Sequence, residues 1–388
     1  METIKQLDDR YVANTYKRFP VEIASGKGSL LFDTDGKRYI DMGSGIGVTA
    51  FGFGDEPWQK AVTDQLSRVQ HTSNLYYTEP CARLAMTLCE KTGFSRVFFS
   101  NSGAEANECA IKVARKYAYD TRGVTEPVIV TLVNSFHGRT HTTLAATGQD
   151  SFHTLFQPLT PGFCHIAAGD TDALRELMAK GNVAGVLMEL VQGEGGVFVL
   201  DRDFVREVAS LCEENGALLM IDEVQTGNGR TGTLYAYQQF GILPDVVSTA
   251  KGLGGGLPIG ATLLSEKVKD TLTYGSHGST FGGNPVAAAG ALSIVSRLDG
   301  AFLAEVARKG AHIKERLAGQ SGIRSVSGLG LMLGIETEKP VGEVLTACIS
   351  RGVLCLSAKI KLRLLPALNI PDDILDEALD VILDVCRV

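Results

Sequence analysis

The chain has 388 residues, 44% of them hydrophobic, and a formal net charge of −7 at pH 7. This length and apolar content suffice for one large α/β unit or two domains, and the acidic balance excludes a basic footprint for nucleic acid. Eight cysteines without a CxxC pair predict reduced core thiols in a cytoplasmic protein and give no support to a metal site.

The amino-terminal residues Met1–Arg10 contain acidic side chains and no apolar core, which predicts neither a secretory signal nor a transit peptide. No apolar run in the sequence is long enough to span a bilayer. Further on, Ser29–Asp33, the turn at Asp35-Gly36 and Arg38–Asp41 predict an antiparallel hairpin, because Asp-Gly suits the positive backbone angles of tight turns. The glycine-rich stretch that follows, Met42–Gly47, fits neither strand nor helix, and no βαβ unit supports a dinucleotide fingerprint there.

A strand, Arg96–Phe99, runs through a short polar turn into a helix that extends to about Tyr119. This order places the backbone N–H groups of Ser102, Gly103 and Ala104 at the positive end of a helix dipole, a geometry that suits a phosphate. The same turn also fits an ordinary capping box, in which Ser102 caps the helix and a glutamate follows three residues later. That arrangement needs no ligand.

The middle of the chain alternates strands and helices, which argues for a mostly parallel sheet covered by helices. The predicted strands are Val128–Val133, Val183–Leu190, Leu218–Asp222 and Val246–Ala250. After Pro285 an alanine-rich helix leads to strands broken by glycine and to an amphipathic helix, Asp372–Cys386, which predict a smaller α+β domain. We therefore expect a large domain, 51–285, and a small domain, 286–388, on which the amino-terminal segment, 1–50, packs.

Lys251 is the strongest local signal, because it ends the apolar run that begins at Asp245 and precedes a glycine-rich turn. A second strand-like run ends in Asp222, so both side chains are expected beyond the carboxyl ends of parallel strands, where ligands bind. A lysine in an apolar crevice can form a Schiff base with an aldehyde, and a buried carboxylate requires a cationic partner. Pyridoxal phosphate supplies an aldehyde and a pyridinium nitrogen. Alternatively, Lys251 is a solvated loop lysine and Asp222 a strand-end cap.

Five motifs, taken with these residues, make the chain resemble the class III, or omega, aminotransferases. The motifs are SNSGAEAN, FHGRT, DEVQTGNGRTG, AKGLGGGLPIGA and STFGGNP. The resemblance runs from Gly28 to the last helix. It implies the type I fold of pyridoxal-phosphate-dependent transferases, an α/β fold with a large domain, built on a mostly parallel sheet covered by helices, and a smaller α+β domain.

The resemblance also implies which residues hold pyridoxal 5'-phosphate. Lys251 matches the lysine that binds the cofactor and moves the proton, and Asp222 matches the partner of the pyridinium nitrogen, where an ionised carboxylate keeps the ring cationic. Gln225 is similar to the residue near the ring hydroxyl, and Phe136 to the aromatic that stacks on the ring, although packing alone would explain an aromatic. The residues that match the phosphate site are Ser102, Gly103, Ala104 and, from the neighbouring subunit of a homodimer, Thr280. By its local pattern Thr280 would be only a turn hydroxyl.

For the substrate, Arg139 and Arg363 resemble two arginines that bind carboxylates, and two guanidinium forks suit a dicarboxylate such as glutamate. By its local pattern Arg363 could instead belong to a solvated strand face, because Lys359, Lys361 and Arg363 alternate. Glu194 matches the acid that pairs with the second arginine when the amine donor has a single carboxylate. The alternative for Glu194 is a solvated loop acid.

Ile46 resembles the position where ornithine aminotransferases carry a tyrosine that meets the free α-amine of ornithine. Isoleucine cannot make that bond, so a free ammonium beside Ile46 would lose water without gaining a partner, and an acylated donor is expected. The alternative is that Ile46 is core packing after the hairpin. Ser279, beside Thr280, is also expected at the substrate.

The expected reaction moves the terminal amine of N-acetylornithine to 2-oxoglutarate and yields N-acetylglutamate 5-semialdehyde and glutamate, a step of arginine biosynthesis. Other donors stay open, namely succinylornithine, succinyl-diaminopimelate, ornithine and 4-aminobutyrate. An aminomutase needs no 2-oxoglutarate, and the presence of both arginines disfavours it. A non-catalytic protein is disfavoured because it need not keep Lys251 and Asp222. No nucleic-acid, membrane or metal partner is expected.

Overall fold

A computed structural model describes residues 2–387 of the chain, and its elements are numbered in chain order. The helices are α1 (Ile4–Tyr11), α2 (Ser44–Gly47), α3 (Glu56–Leu66), α4 (Glu79–Thr92), α5 (Gly103–Arg122), α6 (His141–Ala146), α7 (Asp150–His153), α8 (Thr171–Met178), α9 (Arg202–Glu214), α10 (Tyr237–Phe240), α11 (Pro285–Ser296), α12 (Gly300–Leu317), α13 (Val341–Ser350) and α14 (Asp372–Cys386). The last helix has the bounds that its apolar spacing predicts.

The strands are β1 (Ile23–Lys27), β2 (Leu30–Asp33), β3 (Arg38–Asp41), β4 (Arg96–Ser100), β5 (Val128–Leu132), β6 (Phe163–Ile166), β7 (Val183–Met188), β8 (Val191–Gln192), β9 (Phe198–Val199), β10 (Leu218–Asp222), β11 (Val246–Thr249), β12 (Gly260–Leu264), β13 (Ile323–Leu329), β14 (Met332–Thr337), β15 (Val353–Leu354), β16 (Leu356–Ala358) and β17 (Lys361–Leu364). The predicted alternation of strands and helices is confirmed. Seven strands are not indicated by the sequence pattern, namely β1, β6, β8, β9, β12, β15 and β16.

A seven-stranded sheet forms the centre of the molecule, in the order β4-β12-β11-β10-β7-β5-β6. The pairs among β11, β10, β7, β5 and β6 are all parallel, whereas β12 runs antiparallel to both β11 and β4. All six residues of β7 are buried, as expected of a parallel strand covered by helices on both faces. The predicted mostly parallel sheet is confirmed, and six of its strands, β4, β5, β6, β7, β10 and β11, end at one edge.

Strand β12 begins at that same edge and runs away from it. Its first residue, Gly260, lies opposite Ser100 of β4, and Ala261 lies opposite Thr249 of β11. The connection 250–259, which contains Lys251, is therefore anchored by sheet hydrogen bonds at both ends. Trp58 Nε1 donates to the Gly254 carbonyl oxygen at 3.0 Å and holds the middle of this connection.

Two four-stranded sheets lie outside the central sheet, in the orders β1-β2-β3-β15 and β13-β14-β17-β16. The predicted hairpin is confirmed, since β2 and β3 are antiparallel with Leu30 opposite Ile40. Strand β15 pairs parallel with β3, so the amino-terminal hairpin joins a strand of the carboxy-terminal region. The division of the chain after residues 50 and 285 stays a prediction.

Helices α11 and α12 meet at a bend of 77°. Within residues 2–387, no single helix is long and apolar enough to cross a membrane. The two helices of this bent pair reach that length and apolar composition only when they are taken together. Val306, Ile313 and Leu317 of α12 are fully buried. The helix packs on the β13–β14 hairpin, where Gly330 has a left-handed φ of 52°.

Two glycines of α12 test this packing. A side chain at Gly310 would overlap the Gly330 carbonyl oxygen, whereas a side chain at Gly300, the first residue of the same helix, meets no atom within 4 Å. Gly310→Ala should lower the free energy of unfolding by about 1–3 kcal/mol through overpacking. Gly300→Ala should change it by less than about 1 kcal/mol. Urea titration measures both, and equal midpoints would contradict the described contact.

Candidate active site

The carboxyl edge of the central sheet forms the wall of a cavity of about 430 Å³. Segments that follow β4, β5, β7, β10 and β11 supply its lining, because the parallel topology brings their ends to one edge. The predicted site residues that line this cavity are Ser102, Gly103, Ala104, Phe136, Arg139, Glu194, Asp222, Gln225 and Lys251. Residues far apart in sequence thus meet around one space.

Lys251 begins a short 3₁₀ turn, Lys251–Leu253, just after β11. Its φ of 48° lies in the left-handed region, which is uncommon for a residue with a long side chain. The carbonyl of the preceding Ala250 accepts a hydrogen bond from Asn228 Nδ2 at 3.1 Å, which fixes the chain where the lysine projects. Withdrawal from water lowers the pKa of the Lys251 ammonium, so this amine is neutral and nucleophilic more often than an exposed lysine.

Asp222, the last residue of β10, lines the cavity although it is only 3% exposed. Its Oδ2 accepts hydrogen bonds from Asn107 Nδ2 and His137 Nδ1, each at 2.7 Å. Its Oδ1 accepts from the Val224 amide at 3.0 Å. Within residues 2–387, His137 is the only basic side chain within 4 Å of this carboxylate. The carboxylate is therefore firmly oriented, and it can still accept a cationic group of a ligand.

The turn after β4 leads directly into α5. Ser102 Oγ accepts a hydrogen bond from the Glu105 amide at 3.2 Å, so the predicted helix cap is confirmed. The N–H groups of Gly103 and Ala104, in the first turn, have no partner within the helix, and both residues line the cavity. The cap uses the side chain of Ser102 and leaves the next two backbone donors free, so a cap and an anion site coexist at this helix end.

The donor set of the cavity fits the pyridoxal phosphate that the sequence resemblance implies. Gly103 and Ala104 offer N–H groups to a phosphate at the end of a 20-residue helix. Asp222 offers a carboxylate to a ring nitrogen, and Lys251 offers an amine to an aldehyde. A Cβ atom on Gly103 would lie 2.6 Å from Val224 Cγ1, so the absence of a side chain lets this turn approach the segment after β10.

Arg139 and Phe136 lie on the loop after β5. The Arg139 guanidinium carbon is 4.0 Å from the ring centroid of Phe152 and 5.6 Å from that of Phe136. The two rings meet edge to face with their centroids 5.9 Å apart. A guanidinium held over aromatic faces keeps its hydrogen-bonding edge available to a carboxylate, and Arg139 is exposed enough to use it.

Arg363, on β17, is only 3% exposed, so its assignment to a solvated strand face is wrong. Its Nη1 donates to Glu194 Oε1 at 2.7 Å and to Gln225 Oε1 at 3.4 Å. Its Nε atom has no hydrogen-bond partner in the described part of the chain. Glu194 thus contacts the arginine with which the resemblance pairs it, and the guanidinium keeps a spare donor.

Four predicted residues do not line the cavity of this single chain, namely Arg363, which contacts the lining residues Glu194 and Gln225, and Ile46, Ser279 and Thr280. Ile46 is 42% exposed and lies in a turn where residues 44–47 all have positive φ, so core packing is the wrong interpretation of this side chain. Ser279 Oγ accepts a hydrogen bond from Asn101 Nδ2 at 3.2 Å, which places it beside the residue that precedes the Ser102 turn. Thr280 is exposed to solvent.

Three buried polar residues of the cavity, Asn107, His137 and Glu189, escape the sequence analysis. Asn107 lies four residues after Gly103 and therefore on the same face of α5, and His137 belongs to the FHGRT motif. Glu189 directly follows β7, so the strand-end argument that identifies Asp222 would identify it too. Burial raises the pKa of Glu189 to about 7.

Comparisons with known proteins agree with this geometry. The family model "Aminotransferase class-III" matches residues 11–386. The acetylornithine aminotransferase of Haemophilus ducreyi is 52% identical over 386 residues, which cover 99% of this chain and 98% of the relative. The N-acetylornithine aminotransferase from Stenotrophomonas maltophilia has a TM-score of 0.84 at 36% identity, covering 98% of this chain and 97% of that one. An ornithine aminotransferase from Toxoplasma gondii, with partial occupancy of PLP at its active site, has a TM-score of 0.94 at 31% identity, covering 98% and 93%.

The lowered pKa of Lys251 gives a measurable prediction. In cofactor-free protein, acetylation of Lys251 should reach half its maximal rate at a lower pH than acetylation of the exposed lysines of the same sample, because burial disfavours the ammonium form. Pulse labelling across a pH series, read by peptide mass spectrometry, measures both in one experiment. Identical pH profiles would mean that the lysine is as solvated as the others.

Proposed function

The chain belongs to the class III aminotransferases, and from that premise we propose that it moves the terminal amine of N-acetylornithine to 2-oxoglutarate. The family model covers residues 11–386, and the relative from Haemophilus ducreyi carries the name of this activity at 52% identity. The observation that carries the proposal is the cavity lined by Lys251, Asp222 and Glu194, where Glu194 is hydrogen-bonded to Arg363. Lys251 offers an amine, Asp222 offers a partner for a ring nitrogen, and the Arg363–Glu194 pair can open to accept a carboxylate.

Aminotransferases of this class use pyridoxal phosphate, which supplies an aldehyde and an electron-withdrawing ring. Lys251 is the cavity amine that would hold it, and once displaced by the donor amine the same side chain would move the proton. Asp222, ionised and oriented by Asn107 and His137, would keep a ring nitrogen protonated. The N–H groups of Gly103 and Ala104 would hold the phosphate.

Two arginines would divide the work of binding carboxylates. The exposed guanidinium of Arg139 would bind the carboxylate that both substrates share. Arg363 is engaged by Glu194 at 2.7 Å, so a donor with one carboxylate leaves that pair closed. Glutamate and 2-oxoglutarate bring a second carboxylate, which would displace Glu194 and take Arg363 for itself. One cavity thereby accepts two substrates of different charge.

We infer that the enzyme is a cytoplasmic homodimer whose two sites each use Thr280 of the partner. The segments around Thr280 expose large apolar side chains, with Leu75 86% and Phe281 59% exposed. They adjoin each other, because Asn74 Nδ2 donates to the Ser279 carbonyl at 2.9 Å and the His71 ring packs 5.2 Å from that of Phe281. Contiguous exposed apolar surface of this kind marks a protein interface.

Ornithine is the second candidate donor, and one finding favours it. Structures of ornithine aminotransferase superpose on this chain with TM-scores of 0.94 and 0.95, above the 0.84 of the N-acetylornithine enzyme. Backbone similarity at 31% identity reports the fold and does not resolve the contacts made to an α-amine. The side chain at position 46, an exposed isoleucine, favours the acylated donor.

Turnover with 2-oxoglutarate separates the candidate donors. N-acetylornithine should exceed ornithine in kcat/KM by at least about tenfold, because a free ammonium near Ile46 is desolvated without a partner at about 1–3 kcal/mol. The panel includes succinylornithine, succinyl-diaminopimelate and 4-aminobutyrate. Lys251→Ala, which should bind cofactor without turnover, is the control. A preference for ornithine would overturn the assignment of the donor.

The two half-reactions test the division between the arginines. Arg363→Ala should slow the glutamate half-reaction about 10- to 100-fold, the loss expected for one charge-assisted hydrogen bond, and should affect the acyl-ornithine half-reaction less. Glu194→Gln is the reciprocal variant and should affect mainly the acyl-ornithine half-reaction, because Arg363 then lacks its closing partner. Single-turnover kinetics of both halves measure this, and equal losses would refute the division.

A further inference from the structure

Glu189 is a buried glutamate of the cavity for which the proposed reaction has no use. It directly follows β7 and is 6% exposed. Its Oε1 accepts a hydrogen bond from the Phe136 amide at 2.8 Å, and its Oε2 accepts one from the Gly193 amide at 3.1 Å. Each oxygen therefore binds the backbone of a different segment, and both oxygens act as acceptors.

These two segments carry the groups proposed to meet the substrate and the cofactor. Phe136 begins the FHGRT loop, which also holds Arg139, and Gly193 immediately precedes Glu194. The second segment is confined from its other side as well, because a Cβ atom on Gly193 would lie 2.6 Å from Gln225 Oε1. A hydrogen bond lost at Gly193 would therefore remove one of the two restraints on the backbone that carries Glu194.

We propose that Glu189 is a positioning residue that ties the Phe136 loop to the Glu194 segment and so sets how firmly Glu194 closes on Arg363. This inference rests on the proposed function, because the closure of Glu194 on Arg363 affects the reaction only if the amine donor and glutamate differ in whether they bind Arg363. A loosened Glu194 leaves a buried guanidinium poorly paired when the donor has one carboxylate. Glutamate supplies its own second carboxylate and is affected less.

The charge state of Glu189 distinguishes this role from simple packing. Burial raises its pKa to about 7, and the titratable groups that face it are His137 on the loop after β5, Asp222 on β10 and Lys251 after β11. Below that pH one oxygen carries a proton and becomes a poorer acceptor for the N–H group that faces it, so one of the two hydrogen bonds is weakened. Closure should therefore weaken as the pH falls through about 7.

The test compares Glu189→Gln with Glu223→Gln in the full-length protein as purified with its cofactor. The first variant keeps the side-chain shape and presents an NH₂ group to one of the two amides. Glu223 is a matched control: it is buried, directly follows β10, and has a pKa that burial raises to about 7. Its carboxylate accepts from Thr226 Oγ1 and from the Tyr237 amide, away from both tied segments.

In Glu189→Gln, amide exchange should be at least about fivefold faster in segments 134–138 and 191–195, whereas Glu223→Gln should accelerate exchange only in the segments near its own partners.

The single-turnover rate for the acylated donor relative to glutamate should fall at least about tenfold in Glu189→Gln alone. Below about pH 7 the wild-type ratio should approach that of the variant. Should this variant fail to fold, Glu189→Asp, one methylene shorter, can reach only one of the two amides.

Unchanged exchange in either segment, or an unchanged ratio of the two half-reactions, would overturn the proposal. Failure of the proposed function is a separate result. If the wild-type protein turned over no acylated donor, the donor assignment would fall, and the exchange rates at segments 134–138 and 191–195 would still decide whether Glu189 ties them.

Discussion

A carboxylate withdrawn from water, that of Asp222, is the constraint on which this site depends. A charge at 3% exposure is tolerated only when its lone pairs are satisfied, and here the donors come from elsewhere in the fold. Helix α5 supplies Asn107 and the loop after β5 supplies His137, while Ser248 of β11 donates to Asn107 Oδ1 at 2.5 Å. Helix α5 and the loop after β5 thus bind the carboxylate of β10 directly, and β11 is linked to it through Asn107. Displacing any of them would leave buried polar groups unpaired.

Three more ionisable side chains near this edge have few hydrogen-bonding or ionic partners. Glu189 accepts only backbone hydrogen bonds, Lys251 has a lowered pKa, and Arg363 keeps an unpartnered Nε. A buried charge is stabilised only when it has a hydrogen-bonding or ionic partner. Ligands with a phosphate, a cationic ring and carboxylates would provide the missing partners. The same three side chains would then supply both the binding energy and the specificity of the site.

Much of this arrangement is readable from the sequence, and the failures have physical causes. Strand ends at Asp222 and Lys251 are visible because apolar runs stop there, and α14 is visible because its apolar face repeats at helical spacing. Strand β12 is hidden by the glycine-rich turn before it, since glycine and alanine at its start carry little strand signal. The local pattern around Arg363 misleads, because alternation with lysines indicates solvent, whereas burial of its charge depends on Glu194, far away in sequence. Only the family resemblance assigns Arg363 to the site.

The antiparallel course of β12 has a consequence for ligand length. Because β12 separates β4 from β11, the amine after β11 and the amide cradle after β4 stand two strand spacings apart, roughly 10 Å across the sheet. The hydrogen bonds that β12 makes to both β4 and β11 hold this distance nearly constant. A cofactor held at both places, as proposed above, would have to match this distance, and a vitamer without the phosphate would reach only one of them.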